Sequence, residues 1–335
     1  MSFVLRSLFQ ALSPAGDGAR LSVLIFHRVL PAPDPLFPDE VDARRFDALC
    51  GWLADWFNVL PLDEAVVRLN AGTLPARAAC ISFDDGYADN YSVALPILQR
   101  HGLPATFFIA TGFLDGGRMW NDTLIESVRL SGKLKLDLSG LQDALGEDLG
   151  QHALGDMIGR RTALSRLIER VKYLPPESRL ACVNAIAERA EVSPPNDLMM
   201  SSGEVRALRR AGMQIGAHTV SHPILAKLDA NRAADEVARS RDALQALLGE
   251  RVGLFAYPNG KPGTDYLPDV HPRLVRELGF DAAVSTHWAV ARRGDDAFQI
   301  PRFTPWDRGR LKFGMRLANN LIRGDPRSAA ARANY

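Results

Sequence analysis

The stretch Ile81-Ser82-Phe83-Asp84-Asp85-Gly86-Tyr87 decides how this chain is read. Cys80 to Phe83 is a short apolar run, long enough for a buried strand and too short for a helix. It stops at two adjacent carboxylates and Gly86, the residue that most easily turns the backbone out of a strand. Neighbouring side chains on a strand point to opposite faces, so Asp84 and Asp85 are expected to do different work. If the strand is parallel and buried, its carboxyl end is where α/β folds place chemistry. Asp-Gly is also ordinary turn chemistry, so the motif needs support from the rest of the chain.

That support comes from both sides. Leu21 to Phe26 is a continuous apolar run ending at His27-Arg28 and reads as a first buried strand. Helical spacing follows over Phe46–Phe57, then a short strand Asn58–Leu60 and a helix Asp63–Asn70. After the Asp84-Asp85 strand, a helix over Asp89–Arg100 has to tolerate Pro96, and Ala105–Ala110 is another buried strand. The rhythm breaks from about Asp115 to Asn196, where the pattern predicts no strand. It predicts helices over Asp122–Leu130, Gln142–Gly146, Ala163–Tyr173 and Glu177–Ala190. Strands then resume at Met213–Ala217, Val252–Tyr257, Ala282–Ser285 and Phe298–Phe303, with helices at Ser202–Ala211, Ala230–Leu248 and His271–Leu278. Apolar strands alternating with amphipathic helices predict an α/β fold with a parallel sheet or barrel. The break between them reads as a helical insertion on the strand-end face. The domain reading is an N-terminal amphipathic segment (1–20), a barrel (21–307) carrying the insertion (115–196), and a basic C-terminal tail (308–335) expected to be frayed.

Composition narrows the function classes. With 335 residues, 47% hydrophobic and 24% charged, the chain is ordinary for a globular enzyme. A net charge of +1 gives no reason to expect nucleic acid. Three cysteines without metal-type spacing argue against a disulfide framework. No run of 18 apolar residues is present and the N-terminus lacks the pattern of a signal peptide. A cytoplasmic location, at the inner face of the membrane, is therefore expected. Val4, Leu5, Leu8, Phe9 and Leu12 share one helical face, and Arg308, Arg310, Lys312, Arg316 and Arg323 make the tail basic; together they would suit peripheral membrane contact.

The second informative stretch is Ala217-His218-Thr219-Val220-Ser221-His222-Pro223. His218 ends a predicted strand and His222 follows four residues later, so one helical turn would put both imidazoles on one face. Two histidines and one carboxylate suit Zn²⁺, or Fe²⁺ if positions stay open. A His pair of this spacing can also be a polar turn. With the Asp84-Asp85 strand end in the same fold, one carboxylate can coordinate a metal while its neighbour acts as base on water.

Phe83-Asp84-Asp85-Gly86 and His218-Thr219-Val220-Ser221-His222 together resemble the first two motifs of the polysaccharide deacetylases. This is the NodB-homology group, carbohydrate esterase family 4. The resemblance covers about Leu21 to Pro305 apart from the insertion and implies a distorted (β/α)7-type barrel. It implies that Asp84 is the general base and that Asp85, His218 and His222 hold a divalent metal, commonly zinc. The third motif departs from the family: Tyr257-Pro258 is kept, but Leu254 stands where an Arg orients the base. Arg302 is a candidate substitute, Trp288 a candidate for the fourth motif's Trp, and a backbone N–H near Tyr257 a candidate oxyanion donor. The late Leu-x-His that supplies the general acid is absent. The run Val23-Leu24-Ile25-Phe26-His27-Arg28-Val29 resembles the opening strand of the poly-N-acetylglucosamine deacetylase branch, where an early His takes that role, so His27 is the expected acid.

The expected activity is metal-dependent hydrolysis of N-acetyl groups from an amino sugar of an N-acetylated glycan or glycolipid, a hydrolase acting on carbon–nitrogen bonds other than peptide bonds. Two alternatives stand beside it: an amidase or esterase using the same metal site on another substrate, and a catalytically silent carbohydrate-binding barrel.

Overall fold

A computed structural model describes residues 2–143, 146–305 and 307–323. The chain divides into two compact units. The first takes residues up to Ala32, Val41–Leu114 and Met200 onward; the second takes Pro33–Glu40 and Asp115–Met199.

In the first unit lie β1 (Arg20–Phe26), β2 (Asn58–Val59), β3 (Ala78–Phe83) and β4 (Thr106–Ile109). The second unit holds β5 (Lys135–Asp137) and β6 (Gln151–Ala153). The first then resumes with β7 (Gln214–Ala217), β8 (Leu254–Ala256), β9 (Ala282–Val284) and β10 (Ala291–Arg292). The main sheet runs β10-β1-β3-β4-β7-β8-β9, with β2 beside β3. Its pairings are parallel from β1 to β9, and β10 joins β1 antiparallel. Every residue of β3 is buried, as are six of the seven in β1. That explains runs of apolar residues without alternation, because such strands have no solvated face.

Residues 298–303 lie between β9 and β1. Ile300 N donates to Ala283 O (2.9 Å) and Ser285 N to Ile300 O (2.8 Å) on one side; Phe303 N donates to Val23 O (2.7 Å) and Ile25 N to Phe303 O (3.0 Å) on the other. The sheet is therefore a curled, barrel-like one. A continuous strand was expected here, but the segment forms isolated bridges instead. Pro301 has no N–H to give, and Arg302 N turns to His287 O (3.0 Å).

Helices α1 (Ser2–Leu12), α2 (Ala43–Trp56), α3 (Leu62–Ala71) and α4 (Leu95–His101) precede α5 (Trp120–Leu130), α6 (Met157–Val171) and α7 (Pro176–Arg189) of the second unit. The first unit continues with α8 (Ser202–Arg210), α9 (Ala230–Leu248), α10 (His271–Glu277) and α11 (Arg310–Arg323). Their starts are legible: the Asp42 and Asp229 side chains accept from Arg45 N and Arg232 N, and Ser201 with Glu204 forms a capping box. Pro96 is accommodated because a five-residue π-helical turn, Asn90–Ala94, resets the register and places it in the first turn of α4.

Four expectations need correction. On α1, Leu5 and Phe9 are buried, with the Phe9 ring 4.8 Å from that of Phe57, but Val4 and Leu8 point to solvent. The tail is not frayed where it is described: α11 buries Phe313, Leu317 and Leu321, and its Gly314 lies where a Cβ would come within 2.9 Å of Leu5. Residues 324–335 of that tail lie outside the described residues, as does Met1. The second unit is not purely helical, since β5 and β6 pair antiparallel; three-residue strands are too short to show a period. Gln142 and Asp143 are not helical, and residues 144 and 145 of that expected helix lie outside the described residues. This unit has its own core, including Leu124, Val128, Leu164, Leu167, Val183 and Ile186.

Candidate active site

Parallel strands deliver their chemistry at their carboxyl ends. His27 follows β1, Asp84 and Asp85 follow β3, His218 follows β7, Tyr257 follows β8 and Ser285 follows β9. Asp85 (φ 75°), Thr219 (φ 64°) and His222 (φ 52°) hold left-handed backbone conformations that non-glycine residues rarely adopt. Such strain persists where surrounding contacts over-determine it, commonly at functional sites.

Asp84 is clamped. Arg302 Nη1 donates to Asp84 Oδ1 (2.6 Å) and Nη2 to Oδ2 (2.7 Å), a bidentate pair with both side chains almost wholly buried. Arg302 Nε donates to Ser285 O (2.9 Å), and Nη1 also reaches Ser82 Oγ (3.3 Å). Burial alone would raise the Asp84 carboxyl, but the charge of Arg302, followed by that of His218, holds it below the usual carboxylate range. Arg302 thus faces the expected base, not open space for a substrate. The pair links residues 218 positions apart, so no local pattern could reveal it.

Asp85 is the opposite case. Its Oδ1 is buried with no hydrogen-bond donor among the described residues. It lies 3.4 Å from His218 Nε2 and 3.4 Å from His222 Nε2. The His218 ring is fixed from behind, with Nδ1 2.7 Å from Ala256 O. That carbonyl can only accept, so Nδ1 carries the proton and Nε2 presents its second valence to Asp85. Burial works to raise Asp85, yet His222 and His218 outweigh it and leave it well below the usual range. Burial pushes His222 down to about 4, and for His218 the two aspartates overcome burial and raise it. A buried anionic oxygen facing two ring nitrogens calls for a cation between them, a proton or a metal.

A metal fits the donors. One atom each from Asp85, His218 and His222 lies within 4.8 Å of the others. Donors ~2.0–2.1 Å from a tetrahedral zinc lie roughly 3.3 Å apart, close to the two Asp85 separations. The carbonyl behind His218 is the usual outer partner of a ligating imidazole.

The other expected residues divide. His27 is exposed and directly follows Phe26 of β1, which pairs with Phe83 just before Asp84 and Asp85, so it lies at the same sheet end as the cluster. Tyr257 is fully buried: its N–H goes to Val284 O (3.2 Å), its hydroxyl to Phe298 O (3.0 Å), and its ring stacks on Tyr266. Tyr257 itself therefore has no donor left for an oxyanion. Trp288 is 39% exposed, edge-on to Phe303, with the Arg316 guanidinium 5.8 Å from its ring centre. Sequence reading missed the carbonyls of Ala256 and Ser285, which have no side-chain signature.

The polysaccharide deacetylase profile matches residues 71–133 and 182–283, spanning both motifs. The chain belongs to the polysaccharide deacetylase family. It is 33% identical to YxkH of Bacillus subtilis (strain 168) over 93 residues, 27% of this chain and 32% of that one. It is 25% identical to the poly-β-1,6-N-acetyl-D-glucosamine N-deacetylase of Staphylococcus aureus (strain MRSA252) over 180 residues, 53% of this chain and 60% of that one. The chain thus spans a third to three fifths of these curated relatives. Among solved structures, IcaB from Ammonifex degensii superposes with a TM-score of 0.55 at 20% identity, over 92% of this chain and 98% of that one. Streptococcus pyogenes deacetylase PplD, in complex with acetate, gives 0.56 at 17%, over 85% and 92%. These likenesses establish the deacetylase fold, and the gap in the family match, residues 134–181, falls within the second unit.

Proposed function

We propose that this polysaccharide deacetylase family member is a metal-dependent hydrolase that removes N-acetyl groups from an amino sugar of a polysaccharide or glycan precursor, releasing acetate. The observation that carries the reading is the Asp85–His218–His222 cluster beside a base clamped by a buried arginine. A divalent cation in that cluster, Zn²⁺ by its donor set, would supply Lewis acidity to the amide carbonyl and acidify water. Asp84, kept ionised by Arg302, accepts the proton of the attacking water as its oxygen bonds to the acetamide carbon. The bidentate clamp fixes which way that carboxylate faces. His27, exposed beside the cluster, donates a proton to nitrogen as the carbon–nitrogen bond breaks, so the amine leaves neutral. An N-acetylglucosamine polymer is the substrate class, in keeping with the named Staphylococcus aureus relative.

Acetate release from N-acetylglucosamine oligomers, with chelator-stripped and Zn²⁺-reloaded protein, tests this. Release undiminished by stripping overturns the metal role. Turnover of an aryl acetate with none of the glycan transfers the site to an esterase.

Membrane contact belongs to the same proposal. Phe3, Val4 and Leu8 of α1 and Leu311, Met315 and Ile322 of α11 are exposed, on two helices that carry no carboxylate. No helix among the described residues is long and apolar enough to cross a membrane. These side chains suit the surface of an anionic bilayer, where a glycolipid-borne substrate would lie. Co-sedimentation with anionic but not neutral vesicles checks it.

A further inference from the structure

The two histidines of the cluster are held in different ways. His218 follows β7 directly and its ring is pinned by the Ala256 carbonyl. The His222 ring makes no hydrogen bond among the described residues; it lies 3.4 Å from Asp85 Oδ1 and edge-on to the His218 ring, with centroids 4.8 Å apart. Its position therefore depends on the backbone that carries it. That backbone, Thr219–His222, has left-handed residues at both ends, Thr219 and His222. A loop of this kind relaxes unless it is tied.

The ties come from two sides. On the carbonyl side, Thr111 N donates to Thr219 O (3.1 Å) and Gly112 N to Val220 O (2.8 Å). Gly112 has to be glycine, since a Cβ there would come within 2.6 Å of Val220 O. On the amide side, one side chain receives three donors of the turn: Glu236 Oε2 accepts from Val220 N (2.9 Å) and Ser221 N (2.8 Å), and Glu236 Oε1 from Ser221 Oγ (2.6 Å). Within the turn, His222 N donates to Thr219 Oγ1 (3.1 Å). Glu236 projects from α9, which is anchored independently through buried Ala233, Val237, Ser240 and Leu244.

We infer that Glu236 is a positioning residue for the metal cluster, fixing the strained Thr219–His222 turn so that His222 faces Asp85 before any cation arrives. An ionised carboxylate suits the task because both oxygens accept and neither donates. A charge-assisted bond to backbone N–H is about twice as strong as a neutral one. Without it the turn loses three bonds together, and cation binding must also reorder the backbone. Outer groups that orient a metal ligand typically contribute about 10–100-fold in affinity.

This rests on the metal reading above, and the test separates the two. Co²⁺ is titrated into chelator-stripped wild type, Glu236→Gln and Glu236→Ala, followed by the visible spectrum of the bound ion. Amide exchange at Val220 and Ser221 is measured on the metal-free proteins, and Tm serves as the fold control. Glu236→Gln keeps one accepting oxygen and replaces the other by a donor, so it is expected to fall between wild type and Glu236→Ala. The expected result is a 10–100-fold weaker Co²⁺ affinity for Glu236→Ala, with faster exchange at those two amides and little change in metal-free Tm. If Glu236→Ala does not fold, Glu236→Gln and Ser221→Ala, which deletes one of the three donors, carry the same comparison. Equal Co²⁺ affinity and equal exchange in folded variants overturn the inference and leave the metal site intact. A wild type that takes up no Co²⁺ removes the metal reading itself, and this inference with it.

Discussion

The two units both bury charge, and they treat it in opposite ways. In the helical second unit, Arg129 donates to Asp34 (2.8 Å) and to Glu126 (3.0 Å), and both carboxylates are nearly covered. Buried Ser127 and Ser131 donate to the carbonyls of Thr123 and Ala190. Each of these groups is answered from within its own unit. In the sheet unit, Asp84 is answered by Arg302, while Asp85 Oδ1 next to it is left facing two ring nitrogens. A satisfied buried pair holds a fold together; an unsatisfied buried anion at a strand end awaits something the chain does not supply.

The sharpest way to break this contrast is to neutralise the adjacent carboxylates in turn. Asp85→Asn is expected to abolish metal retention and turnover together, because a neutral amide is a poor ligand. Asp84→Asn is expected to keep the metal and lose about 10²–10⁴-fold in turnover. Elemental analysis beside kinetics decides; metal loss of equal size in both variants would erase the distinction. Arg302→Met probes the same pair from its other end. It strands a buried carboxylate, so unfolding free energy should drop by about 3–5 kcal/mol, and Arg302→Lys should recover only part because a single ammonium cannot reproduce the fork. Denaturant melts read this directly, and a loss under 1 kcal/mol would mean Asp84 finds another partner.

His27 tests the exposed side of the site. Being exposed, it should give Tm values close to wild type in His27→Ala. Acetamide hydrolysis should nevertheless fall by about two orders of magnitude, and aryl acetate hydrolysis by less, since a phenolate leaves without a proton. Equal losses on both substrates would make His27 structural. The smallest effect is expected in the second unit. Burial tends to raise Asp34, but hydrogen bonds from Arg129 and Leu36 N bring it below the usual value. A carboxyl depressed on folding contributes stability above its unfolded pKa of about 3.9 and loses it as pH falls through the lower folded value. Because Arg129 is 29% exposed and keeps Glu126 as a partner, Asp34→Asn should cost about 1 kcal/mol near pH 7, a difference that shrinks below about pH 4, with metal affinity unchanged. A fall in metal affinity in this variant would show that Asp34 also acts on the metal cluster.

Much of this was legible in the chain as written. Strand ends at Phe83 and Ala217, the carboxylate pair and the His218–His222 spacing are local: burial, turn chemistry and ligand spacing leave marks within a few residues. So does the alternation that makes an α/β barrel, and the family motifs sit on those same local features. Tertiary structure decided what is paired across distance. It brought Arg302 to Asp84, Ala256 O to His218 and Glu236 to the turn before His222. It also decided that α11 packs into the core and that Val4 and Leu8 do not. The reason is physical: a side chain's partner is set by which strand and helix ends the sheet gathers at one face, and that gathering is not written in the spacing of any one segment.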